Sequence, residues 1–331
     1  MQAVQNRRHF LTGLSAVAAA VITAPPQTRA ESMPETTSVR FGAENVICTG
    51  PQYIAEDLLR AEGFSDFENV PASYGIARSE SLARGDIDFS IDFATAFVIP
   101  IDAGAAIKVI SGVHAGCYQL FVREGIRSIK ELKGHKVGCD AADQISYPLT
   151  FLSVIATYIG LDPSDFEWVF GGPELFTEGK VDAFLAFPPE DQDLRARKFG
   201  YVVLDSATDR PWSQYYCCML AVNAAYAVKY PVATKRVVRA VLKSADICAT
   251  EPERVARLLV DSGRTSHYEY AVQALRQIPY RNWRDYDPED AVRFFSLRLN
   301  EAGIVKSSPN EIIASGTDWR FFTEIKRELK G

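Results

Sequence analysis

The feature that most constrains the fold is a change of pattern near Val222. From Val39 to that point strand and helix signals alternate, and beyond it only helix signals remain. Ile87, Phe89 and Ile91 alternate with polar residues, a period of two that is typical of a strand. The tail has a proline near each of four expected helix starts: Pro231, Pro252, Pro288 and Pro309. Alternating strands and helices followed by helices alone predict α/β lobes with mainly parallel sheets and a helical C-terminal tail.

The local signals give approximate positions for the individual elements. Helices are expected over residues 50–59 and 144–158, with another ending at Arg84-Gly85. Thr250, Asp287 and Ser308 are expected to cap helices of the tail. The expected strands cover residues 39–41, 46–48, 87–91, 108–113, 136–139, 168–170, 183–187 and 201–204.

Length and charge limit the classes of function. A chain of 331 residues with 47% hydrophobic residues has enough apolar material for about two domains. The formal net charge is -6, and residues 1–30 hold three arginines and no acid, so the remainder is more acidic still. This balance argues against nucleic acid or an anionic membrane surface as a partner. We expect a monomer that binds a small molecule.

The cysteines show no metal-binding spacing. None of the six belongs to a Cys-x-x-Cys pair, and the chain has only four histidines, so we expect no metal site. His114 is expected to be structural. Most of the cysteines are expected to be buried as small apolar side chains, and the sequence assigns no disulfide among them. They are Cys48, Cys117, Cys139, Cys217, Cys218 and Cys248.

The N-terminus has the parts of an export signal. Arg7-Arg8 precede an apolar stretch over residues 14–24, and Ala30 follows as a small residue before a cleavage point. Paired arginines followed by Phe10-Leu11 are similar to a twin-arginine signal, although Thr12 stands where that signal usually has lysine. We therefore expect residues 1–30 to be removed and the protein to be exported, soluble, to the periplasm.

Five stretches, taken in order, resemble the periplasmic solute-binding proteins for sulfonates, nitrate, taurine and thiamine-precursor pyrimidines. They carry the sequences Ser-Leu-Ala-Arg-Gly-Asp-Ile-Asp, Ala-Gly-x-x-Ile-Lys-Val-Ile, Ser-Ile-Lys-Glu-Leu-Lys-Gly-x-Lys-Val, Gly-Lys-Val-Asp-Ala-Phe and Met-Leu-Ala-Val-Asn. These begin at residues 81, 103, 128, 179 and 219, and the likeness extends over about residues 38–300.

This resemblance implies a type II periplasmic binding protein fold, with two α/β lobes joined by two crossover strands. Lobe 1 would combine residues 38–117 with 222–331, and lobe 2 would be residues 118–221, with crossovers near 118–122 and 215–221. The protein would be the substrate-binding component of an ABC importer. It would close by hinge motion on a solute in the interlobe cleft and deliver it to a permease in the inner membrane.

Candidate ligand-binding residues lie where strands end, because ligands of such sheets bind at the carboxyl ends of the strands. Each has a second interpretation: Gly50 and Asp92 as helix caps, Glu190 as an acid favoured at a helix start, and Trp212 with Tyr215 as core packing. The candidates are Gly50, Gln52, Tyr53, Asp92, Phe93, Thr95, Gln144, Ser146, Tyr147, Phe187, Glu190, Trp212 and Tyr215.

Aromatic residues together with Asp92 and Glu190 favour an aromatic or heterocyclic solute, with a sulfonate as the other candidate. We expect no enzyme and no cofactor, since the chain has no Gly-x-Ser-x-Gly elbow and no phosphate-binding glycine loop. One catalytic alternative is the fungal pyrimidine synthase of thiamine biosynthesis, which resembles the same fold and has a cysteine cluster where this chain has Tyr216-Cys217-Cys218-Met219. Another alternative is a protein that presents its solute to a membrane sensor.

Overall fold

The computed structural model describes residues 31–72, 75–140 and 147–329. Within these ranges, ten strands form two five-stranded sheets. The first sheet has the order β2-β1-β3-β10-β4, and the second has the order β7-β6-β8-β5-β9. The strands are β1 (Ser38–Ala43), β2 (Asp66–Pro71), β3 (Phe89–Phe93), β4 (Ile107–Ala115), β5 (Gln119–Val122), β6 (Lys136–Cys139), β7 (Glu167–Phe170), β8 (Ala183–Ala186), β9 (Tyr201–Asp205) and β10 (Tyr216–Asn223).

Helices connect the strands and make up almost all of the chain after β10. The helices up to β10 are α1 (Gly50–Ala61), α2 (Ile76–Arg84), α3 (Ala94–Asp102), α4 (Tyr147–Tyr158), α5 (Glu174–Thr177) and α6 (Glu190–Ala196). Those of the tail are α7 (Ala224–Lys229), α8 (Pro231–Thr250), α9 (Pro252–Asp261), α10 (Tyr268–Gln277), α11 (Pro288–Glu301), α12 (Pro309–Gly316) and α13 (Arg320–Glu328). Short 3-10 helices cover Ile47–Thr49, Ile129–Leu132, Pro163–Asp165, Trp212–Gln214 and Tyr280–Arg284.

Both sheets are mixed, but in each of them four of the five strands run in the same direction and one runs against them, so the sheets are mainly parallel, as expected. In the first sheet β1 is parallel to β2 and β3, whereas β10 is antiparallel to β3 and β4. The second sheet repeats this arrangement, with β6 parallel to β7 and β8 and with β5 antiparallel to β8 and β9. The physical reason is that β5 and β10 are the strands by which the chain enters a sheet from the other one. Each therefore runs against its neighbours.

The core of the first sheet is built around β3. All five of its residues are buried, because the strand has neighbours on both edges and helices on its faces. The ring of Phe89 stacks on that of Phe41 in β1 at a centroid distance of 5.4 Å. The long helix α8 adds its buried face to the same apolar core. This packing fixes the carboxyl ends of β1 and β3 relative to each other.

The fold class is confirmed, and most elements lie where the sequence predicts them. α8, α9, α11 and α12 each begin at the expected proline. Asp287 and Ser308 are the expected N-caps, whereas Thr250 is not, because α9 begins one residue later and Glu251 occupies that position. Gly85 ends α2 with the positive φ of 79° that favours glycine.

Two predictions at the start of the first sheet are wrong. Residues 46–48 do not form a strand, because a 3-10 helix, Ile47–Thr49, begins there and leads directly into α1. Strand β2 is absent from the prediction. It pairs only with β1, at the edge of the sheet, and its largely exposed or half-buried residues have no clear apolar alternation.

The chain passes between the sheets twice, over residues 116–118 and again over residues 206–215. Residues 33–331 form one compact unit, and the division into two lobes stays a prediction. The predicted signal over residues 1–30 lies outside the described residues. Among the helices of the described ranges, none combines the length and apolarity that a bilayer span requires.

Candidate functional site

A cavity of about 460 Å³ lies at the carboxyl ends of the parallel strands β1 and β2. This volume is within the range of about 300–1,000 Å³ that is common for small-molecule sites. Its wall comes from the last residues of the two strands and from the loops that follow them, and one side chain comes from the turn between α9 and α10. The lining residues are Ala43, Glu44, Asn45, Asn69, Pro71, Ala72 and Arg264.

Arg264 is the cationic side chain in the wall of this cavity. Its guanidinium carbon lies 4.4 Å from the ring centroid of Tyr53, which holds the group by a cation–π contact. One Nη1–H donates to Oδ1 of Asn45 at 3.2 Å. The Nε atom is buried and has no hydrogen-bond partner among the described residues. The guanidinium places a positive charge with N–H donors in the wall of the cavity.

A second guanidinium, that of Arg78 on α2, supports the cavity from below. Its Nη2–H donates to the carbonyl oxygen of Ala72 at 2.7 Å, and the same nitrogen lies 3.3 Å from a carboxylate oxygen of Glu44. The Arg78 side chain is almost completely buried. Because Ala72 and Glu44 both line the cavity, Arg78 fixes the shape of its floor.

Three of the predicted residues lie behind the wall of this cavity. The amide nitrogen of Gln52 donates to Oδ1 of Asn69 at 2.8 Å and to the carbonyl oxygen of Gly42 at 3.2 Å. The hydroxyl of Tyr53 donates to the carbonyl oxygen of Glu44 at 2.5 Å. Gly50 begins α1 and is buried. Gln52 and Tyr53 therefore position the loops that form the cavity.

Asp92 is the penultimate residue of β3 and is completely buried. Its carboxylate accepts the backbone N–H of Gly75 at 3.0 Å and that of Phe93 at 2.7 Å. Burial raises the pKa of this carboxyl to about 7, although the positive charge of Arg78 opposes the rise. The group ties the start of α2 to the first sheet.

The predicted aromatic residues lie together with rings from both sides of the crossovers. The Phe93 ring is 5.2 Å from that of Phe151 on α4, and Trp212 contacts the same Phe151 at 5.4 Å. Phe187 contacts Tyr118 at 6.1 Å. These rings, together with Tyr215 and Phe294, which stack at 4.0 Å, form a continuous aromatic cluster.

Thr95 joins this region by a polar contact. Its hydroxyl lies 3.0 Å from that of Thr150, so α3 of the first sheet and α4 of the second are connected by a buried hydrogen bond. Tyr147 begins α4. Gln144 and Ser146, also predicted as ligand contacts, lie outside the described residues.

Glu190 begins α6, beside the carboxyl end of β8 in the second sheet. Its carboxylate accepts the N–H of Phe187 at 3.3 Å. Burial raises its pKa to about 8, and the negative charges of Asp140, Asp191 and Glu174 add to the rise. Burial and Glu174 likewise raise the pKa of Asp140. This edge of the second sheet is acidic, which disfavours a bare oxyanion beside it.

The sequence misses Arg264, Glu44 and Asn45 for an identifiable reason. Because residues 46–48 are predicted as strand, the strand end is placed near Cys48, whereas β1 ends at Ala43. Glu44 and Asn45 thus fall between two predicted strands, 39–41 and 46–48, and the sequence analysis does not treat them as residues that follow the strand end. Arg264 is more than two hundred residues away along the chain, and no local motif marks it.

One group of described side chains has the composition of a metal site. The ligand atoms of Cys48, His114, Cys117 and Cys218 all lie within 4.8 Å of one another. The sequence analysis expects no metal site, because the cysteines lack a metal-binding spacing. It therefore misses this group, whose members are brought together only by the fold.

Residues 68–255 match the sequence model of the NMT1/THI5-like family. A search of curated proteins finds no significant match. The structure resembles the periplasmic nitrate-binding protein NrtA from Synechocystis PCC 6803, with a TM-score of 0.74, 14% identity and coverage of 90% of each chain. It also resembles the periplasmic sulfonate-binding protein SsuA from Methylobacillus flagellatus KT, with a TM-score of 0.66, 20% identity and coverage of 88% of this chain and 94% of that one.

A third similar structure is the periplasmic aliphatic sulphonate binding protein SsuA from Escherichia coli. The TM-score is 0.66 at 19% identity, with 82% of this chain and 90% of that chain covered. At such identities the likeness shows the fold, which is that of the periplasmic binding proteins.

Proposed function

The chain belongs to the NMT1/THI5-like family, and from this premise we propose that it is the substrate-binding component of an ABC importer. It captures a small organic solute between a lobe of residues 38–117 with 222–331 and a lobe of residues 118–221. It acts as a monomer in the periplasm and delivers the solute to a permease in the inner membrane. The similar structures that bind nitrate and sulfonates support this proposal.

The observation that carries the proposal is the cavity at the carboxyl ends of β1 and β2, whose described lining residues all belong to the first lobe, so that it would form that lobe's part of the solute site. In open α/β sheets, ligands bind outside the carboxyl ends of the strands. The donor at Arg264 and the amides of Asn45 and Asn69 converge there on a space that holds a small molecule. A larger cavity of about 680 Å³ lies over α9 and the start of α10, away from all strand ends, and lacks that placement.

The charges around the cavity favour a solute with both acceptor and donor groups. Arg264 supplies a cation for an acceptor, whereas Glu44 in the same wall supplies an acceptor for a donor. The Glu44 carboxylate, which pairs with Arg78 at 3.3 Å, places negative charge in the same wall and so disfavours a bare oxyanion. We therefore favour an aromatic or heterocyclic solute that carries an acceptor group. An aromatic sulfonate meets the same requirements.

Binding without catalysis is consistent with the lining of the cavity. Among the described lining residues there is no Ser, Cys, His or Lys. Covalent catalysis needs a nucleophile within reach of an activating base. The cavity therefore offers recognition groups without a nucleophile, which favours a binding protein over the synthase of similar fold.

A thermal-shift screen of the chain from Glu31 onward tests this function. The compounds are sulfonates, nitrate, pyrimidines and aromatic acids. A ligand present at a hundredfold its Kd adds about 2.7 kcal/mol to the unfolding free energy. One stabilising class with one-to-one calorimetric binding supports the proposal. If no class of compound stabilises the protein and the protein turns over a pyrimidine precursor, the proposal is overturned in favour of an enzyme.

A further inference from the structure

A cluster of three thiols and one imidazole lies at the edge of the first sheet where β3 and β4 end, and none of its residues lines the cavity at β1 and β2. The ligand atoms of Cys48, His114, Cys117 and Cys218 all lie within 4.8 Å of one another. All four side chains are buried. None of the four side chains is among the described lining residues of the cavity that is proposed above to bind the solute.

The register of the strands brings these residues together. Cys218 in β10 is the direct partner of His114 in the antiparallel neighbour β4. Directly opposite residues of such a pair have their Cβ atoms about 4.5–5.5 Å apart. Cys117 follows β4 in the crossover, and Cys48 lies in the 3-10 helix that leads into α1. The end of β4 with the residues that follow it, the 3-10 helix and β10 therefore meet at one point.

His114 is oriented as a metal ligand would be. Its Nδ1 lies 2.9 Å from the carbonyl oxygen of Ala115, so the Nδ1–H donates to the backbone. Its Nε2 is buried and has no hydrogen-bond partner within the described part of the chain. Histidines that bind metals usually donate their other N–H to a carbonyl or carboxylate, which fixes the tautomer and frees the second nitrogen.

Tyr280 holds the cluster from outside. Its hydroxyl donates to the carbonyl oxygen of Cys48 at 3.0 Å, and its ring packs edge-on against that of His114 at 5.1 Å. Tyr280 is completely buried. It thus fixes the positions of two of the four donors without contributing one itself.

We propose that Cys48, His114, Cys117 and Cys218 bind one borderline-soft transition-metal ion, with Zn²⁺ as the best match. Three thiolates and one imidazole are a common structural zinc set. With Zn–S distances of about 2.3 Å, a tetrahedral site separates its ligand atoms by about 3.3–3.8 Å. The four donors need only a small inward movement from their present separations.

The three thiols must lose their protons when the ion binds, as metal binding to cysteine requires.

The site is closed and structural in kind. All four positions of a tetrahedral ion are filled by protein donors, which leaves none for water or substrate. Because Cys117 belongs to the crossover between the sheets, the ion would anchor the start of that crossover to β10 and to the loop before α1. The position at which the chain leaves the first sheet would then be fixed by the metal.

A competing use of the same sulfur atoms is a disulfide between Cys117 and Cys217. Their Sγ atoms lie 3.3 Å apart, beyond the bond length of about 2.05 Å. A disulfide there would remove Cys117 from the ligand set. The test must therefore distinguish the two states.

Metal analysis of the full chain, purified without chelators, is the first test. We expect one equivalent of zinc per chain. Replacement by Co²⁺ should give the thiolate charge-transfer and visible bands of a tetrahedral cobalt site. The variants Cys218→Ser and His114→Gln should lower the zinc affinity by more than about 100-fold, since even supporting residues cost 10–100-fold.

Two buried cysteines serve as controls. Cys139 lies in the second sheet, and Cys217 lies next to the cluster but outside the ligand set. The control variants are Cys139→Ser and Cys217→Ser. Both should retain one equivalent of metal. If the ligand variants do not fold, the cobalt spectrum of the unsubstituted protein still decides the question.

Three results would overturn the proposal. The first is a protein that takes up no zinc or cobalt when supplied with it. The second is a Cys117–Cys217 disulfide in the isolated protein, found by peptide mapping. The third is that the variants Cys218→Ser and His114→Gln both retain the bound metal.

Discussion

Nη1 of Arg78 lies 4.0 Å from Oδ2 of Asp92, and both side chains are almost completely buried. The guanidinium also donates to the carbonyl oxygen of Ala72, and the carboxylate accepts the N–H groups of Gly75 and Phe93. The pair therefore connects α2 to β3 directly beneath the cavity. An ion pair this deep is stable only because each partner has further hydrogen bonds.

Arg78→Met is expected to destabilise the protein by about 3–5 kcal/mol near pH 8, since it leaves a buried carboxylate without its counter-charge. The loss should be smaller at pH 5. Burial already raises the pKa of Asp92 to about 7, and removal of the cation raises it further, so the carboxyl is neutral in acid. Urea unfolding at pH 8 and at pH 5 measures the loss of unfolding free energy at each pH.

The control for this prediction is Arg84→Met on the same helix. Arg84 is exposed and pairs with Asp86 at 2.9 Å, and such surface pairs contribute about 0–1 kcal/mol. Equal losses for Arg78→Met and Arg84→Met would contradict a special role for the buried pair.

Arg264→Ala is expected to weaken binding of the solute found in the screen by about 10- to 100-fold, because a hydrogen bond to a charged group contributes about 1.5–3 kcal/mol. Stability should change by less than about 1 kcal/mol, the contribution of an exposed cation–π contact. Calorimetric titration measures the affinity, and thermal unfolding measures the stability.

Arg257→Ala is the matched control for Arg264→Ala. Its guanidinium lies 4.4 Å from the ring of Tyr268, the same geometry that Arg264 has over Tyr53, but it does not line the cavity at β1 and β2. Solute affinity should remain unchanged in this variant. If both variants bind like the unsubstituted protein, the solute occupies another site.

The sequence predicts the fold class because the pattern of elements is strong and local. Prolines at N1 fix the starts of α8, α9, α11 and α12, and β6 lies at the predicted residues. Strand β2 escapes prediction because an edge strand buries little and needs no regular apolar alternation. The sequence also does not predict that β10 runs antiparallel to β3 and β4, because the direction of a strand depends on the path by which the chain re-enters the sheet.

The site is less accessible to sequence reasoning, because its parts meet only in three dimensions. Arg264 reaches the loop after β1 from the turn between α9 and α10. The thiol cluster combines His114 and Cys117, at the end of β4 and just after it, with Cys48 and Cys218 from distant parts of the chain, so Cys-x-x-Cys spacing does not reveal it. The pairing of His114 with Cys218 depends on the register of β4 and β10, which no residue pattern specifies.

The hydroxyl contact between Thr95 and Thr150 should show a measurable coupling. A double-mutant cycle with Thr95→Val and Thr150→Val is expected to give an interaction energy of about 0.5–1.5 kcal/mol, since valine keeps the shape and removes the buried hydrogen bond. Chemical denaturation of the four proteins supplies the values.

The comparison for this cycle is Thr157→Val, two turns further along α4, whose hydroxyl donates to Ser153 of its own helix. When Thr157→Val is combined with Thr95→Val, the changes in unfolding free energy should add to within about 0.5 kcal/mol. Additivity in the Thr95–Thr150 cycle as well would mean that α3 and α4 are not coupled in solution.

Glu190 gives the protein a predicted pH dependence. Burial, reinforced by the charges of Asp140, Asp191 and Glu174, raises its pKa to about 8 in the folded state, against about 4.3 in an unfolded chain. The folded state therefore binds more protons than the unfolded state between these two values. Stability contributed by this group falls as the pH rises from about 4 to about 8, and is constant above that.

Glu190→Gln removes this titration while it keeps an acceptor for the N–H of Phe187. The unfolding free energy of the variant should equal that of the unsubstituted protein near pH 4. At pH 8.5 it should be higher by at least about 1 kcal/mol, because each pKa unit corresponds to about 1.4 kcal/mol. Thermal unfolding across this range measures the difference, with Glu178→Gln, an exposed partner of Lys180, as the control. Parallel curves for Glu190→Gln and the unsubstituted protein would mean that Glu190 is ionised and solvated in the folded state. The acidic edge of the second sheet would then present a full negative charge to the solute, which favours a cationic group on it over a neutral donor.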